Sequence, residues 1–184
     1  MSNYIGRHDS PTIKPASRTA LVVPLPRVCP SISYKPYLQR LGGCTLLEWG
    51  IDRLQHANLD YPVFALAFSE MDAEIAAAAL RARPITVVRS IFLSKLRSLL
   101  YFGKQYSLDT LVIISLEAIC LTPLTLVRDI CDWHFRSHNT YTPAAGFPEG
   151  ATVEVINTCV LQALCEITLP PHLQEPRVVV QSLL

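Results

Sequence analysis

Charged residues are scarce in this sequence, and neither sign of charge is in excess. They make up 17% of the 184 residues, and 16 Lys and Arg stand against 15 Asp and Glu, a net charge of +1. This balance creates no overall field to attract nucleic acid or an anionic membrane, so neither is an expected partner. The hydrophobic share of 50% excludes a disordered or fibrous chain. Because charges are so few, we expect part of the apolar surface to be covered in a homodimer or by a protein partner.

Long hydrophobic runs and targeting signals are also missing. The longest candidate, residues 108–121, is interrupted by Asp109 and Glu117, whereas a membrane span needs about 20 apolar residues. The first residues lack the apolar central region of a secretory signal. We therefore expect residues 1–18 to be a flexible leader, residues 19–184 to form a single domain, and the protein to be cytoplasmic.

Cysteine is present but never as a Cys-x-x-Cys pair. Most of the 6 cysteines lie inside apolar runs. Without close ligand pairs a zinc site is not expected. In a reducing compartment these residues are predicted to be small members of the core.

Short apolar segments alternate with segments of helical periodicity. The predicted strands are residues 19–25, 61–68, 85–88 and 110–115, and the predicted helices are residues 45–57, 71–83, 91–106 and 123–137. The first helix opens with a capping box, Thr45 and Glu48. A strand at 151–157, a helix at 159–166 and a late strand at 177–181 follow. This alternation predicts an α/β domain of three layers, a mostly parallel sheet with helices on both faces.

Three connections follow predicted strands at one edge of this sheet. They are the loop at 26–43, the turn at 69–72 and the segment at 116–122. Open α/β sheets bind ligands beyond the carboxyl ends of their strands, so these segments are the candidate site.

Three partial motifs, the first of them in two parts, carry a family resemblance. The loop after the first strand reads PRVCPSISYKP (26–36) and is followed by LGGCTLLEW (41–49). Further on come ISLEAICLTP (114–123) and PEGATVEV (148–155). In this order the motifs resemble those of the cytidylyltransferase family of sugar-nucleotide synthesis, in particular the spore-coat polysaccharide and ketodeoxyoctonate cytidylyltransferases. The resemblance spans roughly residues 19–166.

The resemblance implies a nucleotide-diphospho-sugar transferase-like fold and the transfer of CMP from CTP to a sugar acid, with Mg²⁺ as cofactor. It assigns catalytic roles on the phosphates to Arg27 and Lys35 and magnesium binding to Glu117 and Glu154. The nucleotide-binding residues that it implies are Arg27, Ser69 and Glu70.

The chain departs from the family at positions that carry the chemistry. It has no glycine between Gly6 and Gly42, although phosphate loops use glycine to bring the backbone close to the phosphates. Glu117 replaces the family's aspartate, and the longer side chain suits the tight geometry of magnesium poorly. These departures predict weakened or lost catalysis. The alternative is a non-catalytic assembly or regulatory partner of a glycan-synthesis enzyme, and a guanylyl- or uridylyltransferase is not distinguished.

Each candidate residue also has an ordinary structural interpretation. Arg27 and Lys35 are more typical of solvated loop cations, and Glu154 of the polar face of a strand. Glu117 could cap a backbone turn, and Ser69 is a good helix cap.

Two further pairs of residues are interpreted structurally. His134 and His138 have the i, i+4 spacing of a metal pair but lack a third ligand, which favours a half-exposed helix end. Trp49 and Trp133 lie on apolar helix faces and are interpreted as core or interface aromatics.

Overall fold

Eight strands and six α-helices build the part of the chain that the computed structural model describes, residues 18–26, 36–57, 59–92, 94–147 and 153–167. The strands are β1 (Thr19–Pro24), β2 (Arg40–Leu41), β3 (Cys44–Thr45), β4 (Val63–Ala67), β5 (Thr86–Arg89), β6 (Thr110–Ile114), β7 (Tyr141–Pro143) and β8 (Val153–Asn157). The helices are α1 (Leu46–Gln55), α2 (Glu70–Ala79), α3 (Lys95–Gln105), α4 (Leu116–Leu121), α5 (Leu124–Arg136) and α6 (Thr158–Glu166). A single 3₁₀ turn, Pro36–Leu38, precedes β2.

The main sheet has six strands in the order β5–β4–β1–β6–β8–β7. The β5–β4, β4–β1 and β1–β6 pairs are parallel, whereas β8 runs antiparallel to both β6 and β7. This confirms the predicted mostly parallel sheet. The sequence predicted a strand at the position of β8 but not its antiparallel direction. It did not predict β7.

The central strand β1 shows why these segments form strands. All six of its residues are buried. Leu21 and Val23 enter one hydrophobic core, and Ala20 and Val22 enter the other, on the opposite face of the sheet. A strand covered on both faces needs a continuous apolar run, which is the pattern found in the sequence.

Helices cover both faces, as predicted for a three-layer domain. The first core takes side chains from α1, α2, α4 and α5, and the second from α3 and α6. The helices α1 and α4 approach closely at Gly50, where a Cβ would lie 3.2 Å from side-chain carbons of both Leu116 and Ile119. The α1 capping box of Thr45 and Glu48 is formed as predicted.

Two short elements differ from the predicted pattern. The segment after β6 was expected only as a connection, but Leu116–Leu121 forms α4, with Ser115 as its N-cap. A tight hairpin joins β2 and β3 through Gly42 and Gly43, whose φ angles of 60° and 99° lie in the left-handed region that glycine adopts without strain.

The cysteine prediction is only partly right. Cys131 is buried in the first core, but Cys44, Cys120 and Cys165 are half-buried and Cys159 is exposed. Cys29, the late strand at 177–181 and the leader, apart from Arg18, lie outside the described residues. Within the described ranges, no helix combines the length and the hydropathy that a membrane span requires.

Candidate functional site

The predicted site segments meet at one edge of the sheet, at the carboxyl ends of the parallel strands. From β1 the chain moves outward through β4 to β5, and it then returns to the other side of β1 to form β6. The strand order thus reverses between β1 and β6, and such switch points are where open α/β sheets hold their ligands. The antiparallel β8 begins at the same edge, since Val153 pairs with Ile114.

The loop after β1 carries the two predicted phosphate contacts. Arg27 and Lys35 both lie outside the described residues. The two ends of this loop are described. At its start, the backbone N–H of Leu25 donates to the carbonyl of Leu66, 2.9 Å away. At its end, the fully buried Tyr37 follows Pro36 directly.

Tyr37 anchors the end of this loop to α2. Its hydroxyl donates to Oδ1 of Asp72 at 2.6 Å. The Ser69 hydroxyl donates to Oδ2 of the same carboxylate at 2.6 Å and accepts from the Asp72 backbone N–H at 3.0 Å. Asp72 is 6% exposed, and a carboxylate in the first turn of a helix is stabilised by the helix dipole. Burial is the main cause that raises the pKa of Tyr37 above its ordinary range. The hydrogen bond to Asp72 and the negative charge of that carboxylate raise it further.

Ser69 and Glu70, the predicted nucleotide contacts, have structural roles in this arrangement. Ser69 is the N-cap of α2, as the structural interpretation expected. Glu70 lies beside it in the first turn and forms an exposed ion pair of 3.0 Å with Arg89, the last residue of β5. Sequence reasoning missed Arg89, although an arginine directly after a short apolar strand is a usable signal.

The two predicted magnesium ligands lie on different kinds of element, Glu117 on the helix α4 and Glu154 on β8, a strand of the main sheet. Glu117 lies in the first turn of α4, which packs with α1, and its side chain is outside the described part of the molecule. Glu154 lies on β8 and shares a strand face with Ile156, which enters the second core beside α3 and α6. Glu154 is half-buried and accepts a hydrogen bond of 3.2 Å from the Tyr141 hydroxyl.

A carboxylate is a suitable ligand for magnesium, and Glu154 is the one predicted ligand whose contacts are described. No cluster of three or more Cys, His, Asp or Glu side chains suited to a metal occurs within the described residues. The magnesium assignment of Glu117 and Glu154 therefore stays a prediction.

His134 is not at a half-exposed helix end, so that expectation was wrong. It is 2% exposed because it packs between α5 and the sheet. Its Nδ1 lies 2.9 Å from the Thr142 hydroxyl, and its Nε2 lies 3.0 Å from Oδ1 of Asn157. These partners belong to β7 and β8, so the imidazole joins α5 to the antiparallel side of the sheet. His138 is exposed beyond the helix end, at φ 52°.

The two tryptophans occupy different environments. Trp49 is half-buried, and the guanidinium of Arg53 lies over its ring, 5.5 Å from the centroid. Trp133 is 63% exposed, which excludes the core interpretation and leaves the interface interpretation open.

The strand order, the covering helices and the switch point define a nucleotide-diphospho-sugar transferase-like α/β fold, and solved structures similar to this chain include cytidylyltransferases. A cytidylyltransferase from Leptospira borgpetersenii serovar Hardjo-bovis superimposes with a TM-score of 0.75 at 15% identity, over 90% of this chain and 72% of that one. CMP:2-keto-3-deoxy-manno-octonic acid synthetase, in complex with CTP, gives 0.65 at 11% identity, over 91% and 84%.

A nucleotidyl transferase from Methanothermobacter thermautotrophicus gives a TM-score of 0.64 at 13% identity, over 90% of this chain and 81% of that one. The chain therefore has a cytidylyltransferase-like fold, as the motif resemblance implied. No protein-family model matches the sequence, and comparison with curated proteins gives no match.

Proposed function

We propose that the carboxyl edge of β1, β4 and β6 binds a cytidine nucleotide weakly, and that the chain derives from enzymes of CTP-dependent sugar-acid activation with weakened or lost CMP transfer. The observation that carries this proposal is the fold. The fold is similar to that of a synthetase solved in complex with CTP, and β1, β4 and β6 of this chain end at one edge beside the switch point.

Support for nucleotide binding comes from the rigid frame around the loop after β1. The Leu25 backbone holds one end of the loop against β4, and the Tyr37–Asp72 hydrogen bond holds the other against α2. A loop with both ends fixed loses less conformational freedom on binding than a free one, which favours binding. Arg27 and Lys35 would supply the positive charge for the phosphates.

Features at the carboxyl edge of the sheet also support weakened catalysis of CMP transfer. Residues 26–36 of the loop include no glycine to expose backbone N–H groups to a triphosphate. The Ser69 hydroxyl is already engaged in capping, and Glu70 is paired with Arg89. If the chain is active, Mg²⁺ held by Glu117 and Glu154 would neutralise the charge that develops during transfer.

Calorimetry with CTP and MgCl₂ tests binding. We expect a dissociation constant in the millimolar range, about −4 kcal/mol of binding free energy. Arg27→Ala should weaken this binding at least tenfold, and Arg81→Ala, an exposed residue beyond the end of α2, should leave it unchanged. Absence of binding heat at several millimolar CTP would overturn the proposal.

Pyrophosphate release tests the loss of catalysis separately. We expect no magnesium-dependent release above background when CTP is supplied with a panel of sugar acids. Steady turnover that disappears in Glu117→Ala would show an active transferase and contradict the weakened-catalysis part alone.

The second candidate, an assembly or regulatory partner, is favoured by one observation. Trp133 and Leu121 are 63% and 69% exposed, and large apolar side chains at such exposure are typical of protein contacts. Sedimentation velocity tests it directly. A homodimer should weaken in Trp133→Ser, whereas a strict monomer at high concentration, with no co-purifying protein, would count against this candidate.

A further inference from the structure

A pocket opens on the helical layer that covers the second core. It lies between α3 and the end of α6, has a volume of about 280 Å³ and is lined by Phe92, Arg97, Leu100, Tyr101, Lys104 and Cys165. Ligand pockets typically measure about 300–1,000 Å³, so this one is limited to a small molecule.

The pocket lines one stripe of α3. Arg97, Tyr101 and Lys104 recur at helical spacing, on the side of α3 opposite Leu99 and Phe102, which pack into the second core. Two further lining residues, Leu100 and Cys165, pack against the edge of that core.

Two aromatic rings form a wall of the pocket. Phe92 and Tyr101 meet edge to face, with centroids 5.5 Å apart. The backbone at Phe92 is held in place, because its N–H donates to the Ser90 hydroxyl at 3.1 Å and its carbonyl accepts from Ser98 at 3.2 Å. A fixed aromatic wall favours a flat apolar ligand, since aromatic rings stack on it without having to order the wall first.

Two cations flank this apolar surface. Arg97 and Lys104 are about 10 Å apart along the helix axis, at about 1.5 Å per residue. Both positive charges influence the pKa of the Cys165 thiol. Burial raises the pKa of Cys165, and the positive charges of Arg97 and Lys104 oppose that change. Both side chains line the pocket together with Cys165.

Neither cation is neutralised in the described part of the chain, where no ion pair involves Arg97 or Lys104. The acid beside Cys165 is Glu166, whose carboxylate accepts from Gln162 one turn earlier at 3.4 Å. An apolar surface beside these two cations is complementary to a ligand with one anionic head and an apolar body.

We propose that this pocket between α3 and α6 binds a small aromatic carboxylate, with the ring against Phe92, Leu100 and Tyr101 and the carboxylate between Arg97 and Lys104. The arginine suits this role because its planar fork can donate two parallel hydrogen bonds to one carboxylate. The pocket shares no lining residue with the proposed nucleotide contacts, so either proposal can fail while the other stands.

Calorimetry of the full chain with 2-naphthoate as probe tests the charge requirement. The double variant Arg97→Gln, Lys104→Gln should bind at least tenfold more weakly than the unchanged protein, and 2-naphthamide, which lacks the charge, should also bind at least tenfold more weakly. Arg81→Gln removes an exposed cation elsewhere and should bind normally. All substituted residues are exposed, so the variants should keep the melting temperature of the parent.

Alkylation of cysteine supplies a second readout that needs no variant. N-ethylmaleimide labelling followed by peptide mapping should show Cys165 protected by 2-naphthoate at least fivefold, and Cys159, exposed near the start of the same helix, unprotected.

Three results would overturn the proposal. The first is no binding of 2-naphthoate at millimolar concentration, and the second is equal affinity in the double glutamine variant. The third is binding that disappears as the protein concentration rises, which would place a second copy of the chain on the pocket instead.

Discussion

The phenolic oxygen of Tyr37 lies 2.6 Å from a carboxylate oxygen of Asp72, and this hydrogen bond joins the end of the loop after β1 to the first turn of α2. Both residues are buried, although they are 35 positions apart in the chain. The contact connects two of the three segments that form the candidate site. It therefore links the stability of the fold to the shape of that site.

Replacing Tyr37 with Phe removes one donor from a buried carboxylate and leaves the ring in place. We expect unfolding free energy to fall by about 1–3 kcal/mol, the cost of a buried polar group that loses a partner. Urea denaturation measures this change. Tyr141→Phe is the matched control, since its hydroxyl meets Glu154 at 3.2 Å in a half-buried position and should cost less. Equal losses in the two variants would contradict the importance assigned to the Asp72 contact.

Ser69→Ala separates capping from nucleotide contact. Ser69 is the N-cap of α2, so Ser69→Ala should lower the free energy of unfolding by about 1 kcal/mol. Ser69→Thr should keep most of this stabilisation. Thermal unfolding gives the stability, and calorimetry with CTP gives the affinity. An unchanged melting temperature together with a large loss of CTP affinity would show that the hydroxyl serves the nucleotide rather than the helix.

His134 should make stability depend on pH. Burial lowers its pKa from the ordinary 6.5, and the hydrogen bond to Asn157 opposes this only in part. The amide oxygen of Asn157 can only accept hydrogen bonds, and it also accepts one from the Thr110 hydroxyl. The neutral imidazole therefore donates from Nε2 to Asn157 and accepts at Nδ1 from the Thr142 hydroxyl.

The sign of the dependence follows from the lowered pKa. Below pH 6.5 the unfolded chain binds a proton that the folded chain resists. The stabilising contribution is therefore complete above that pH and is lost as the pH falls towards the lower folded value. Urea denaturation between pH 8 and pH 5 should show this loss, and His134→Gln should reduce it. His138→Gln, at an exposed site, should keep the parent slope, and an identical slope in His134→Gln would refute the assignment.

Arg83 joins α1 to the segment after α2. Its guanidinium donates to both Asp52 oxygens at 2.6 and 2.7 Å and to Glu48 at 2.9 Å. We expect Arg83→Lys to cost about 1 kcal/mol, because an ammonium group cannot keep this forked geometry. Arg136→Lys is the control, since its ion pair with Asp132 is longer, 3.4 Å, and its side chain is 80% exposed. Urea denaturation measures the loss of unfolding free energy in each variant. A comparable loss in both would mean that the forked geometry at Arg83 adds no stability.

The strands of the parallel half were predictable because burial on both faces leaves a one-dimensional signature. β1 and β6 are unbroken apolar runs, and each was predicted to within one residue at either end. The cap of α2 was also visible, since Ser69 can reach a backbone N–H only a few residues away. Such features depend on neighbours in sequence.

The short elements were harder to predict from the sequence. α4 has six residues and β7 has three, which is too little for a periodic pattern to stand out. β7 is held by pairing with β8 and by the buried imidazole of His134. No local signal distinguishes a histidine buried by such distant partners from one at a helix end.

The sequence alone determined the α/β class, the central strands, most of the covering helices and the edge chosen as the candidate site, because hydrophobic periodicity and helix caps act over a few residues. Only the tertiary structure decided that Tyr37 would pair with Asp72, that His134 would be buried and that Arg97, Lys104 and Cys165 would share a pocket. These arrangements arise from contacts between distant segments, whose formation depends on how the whole core packs.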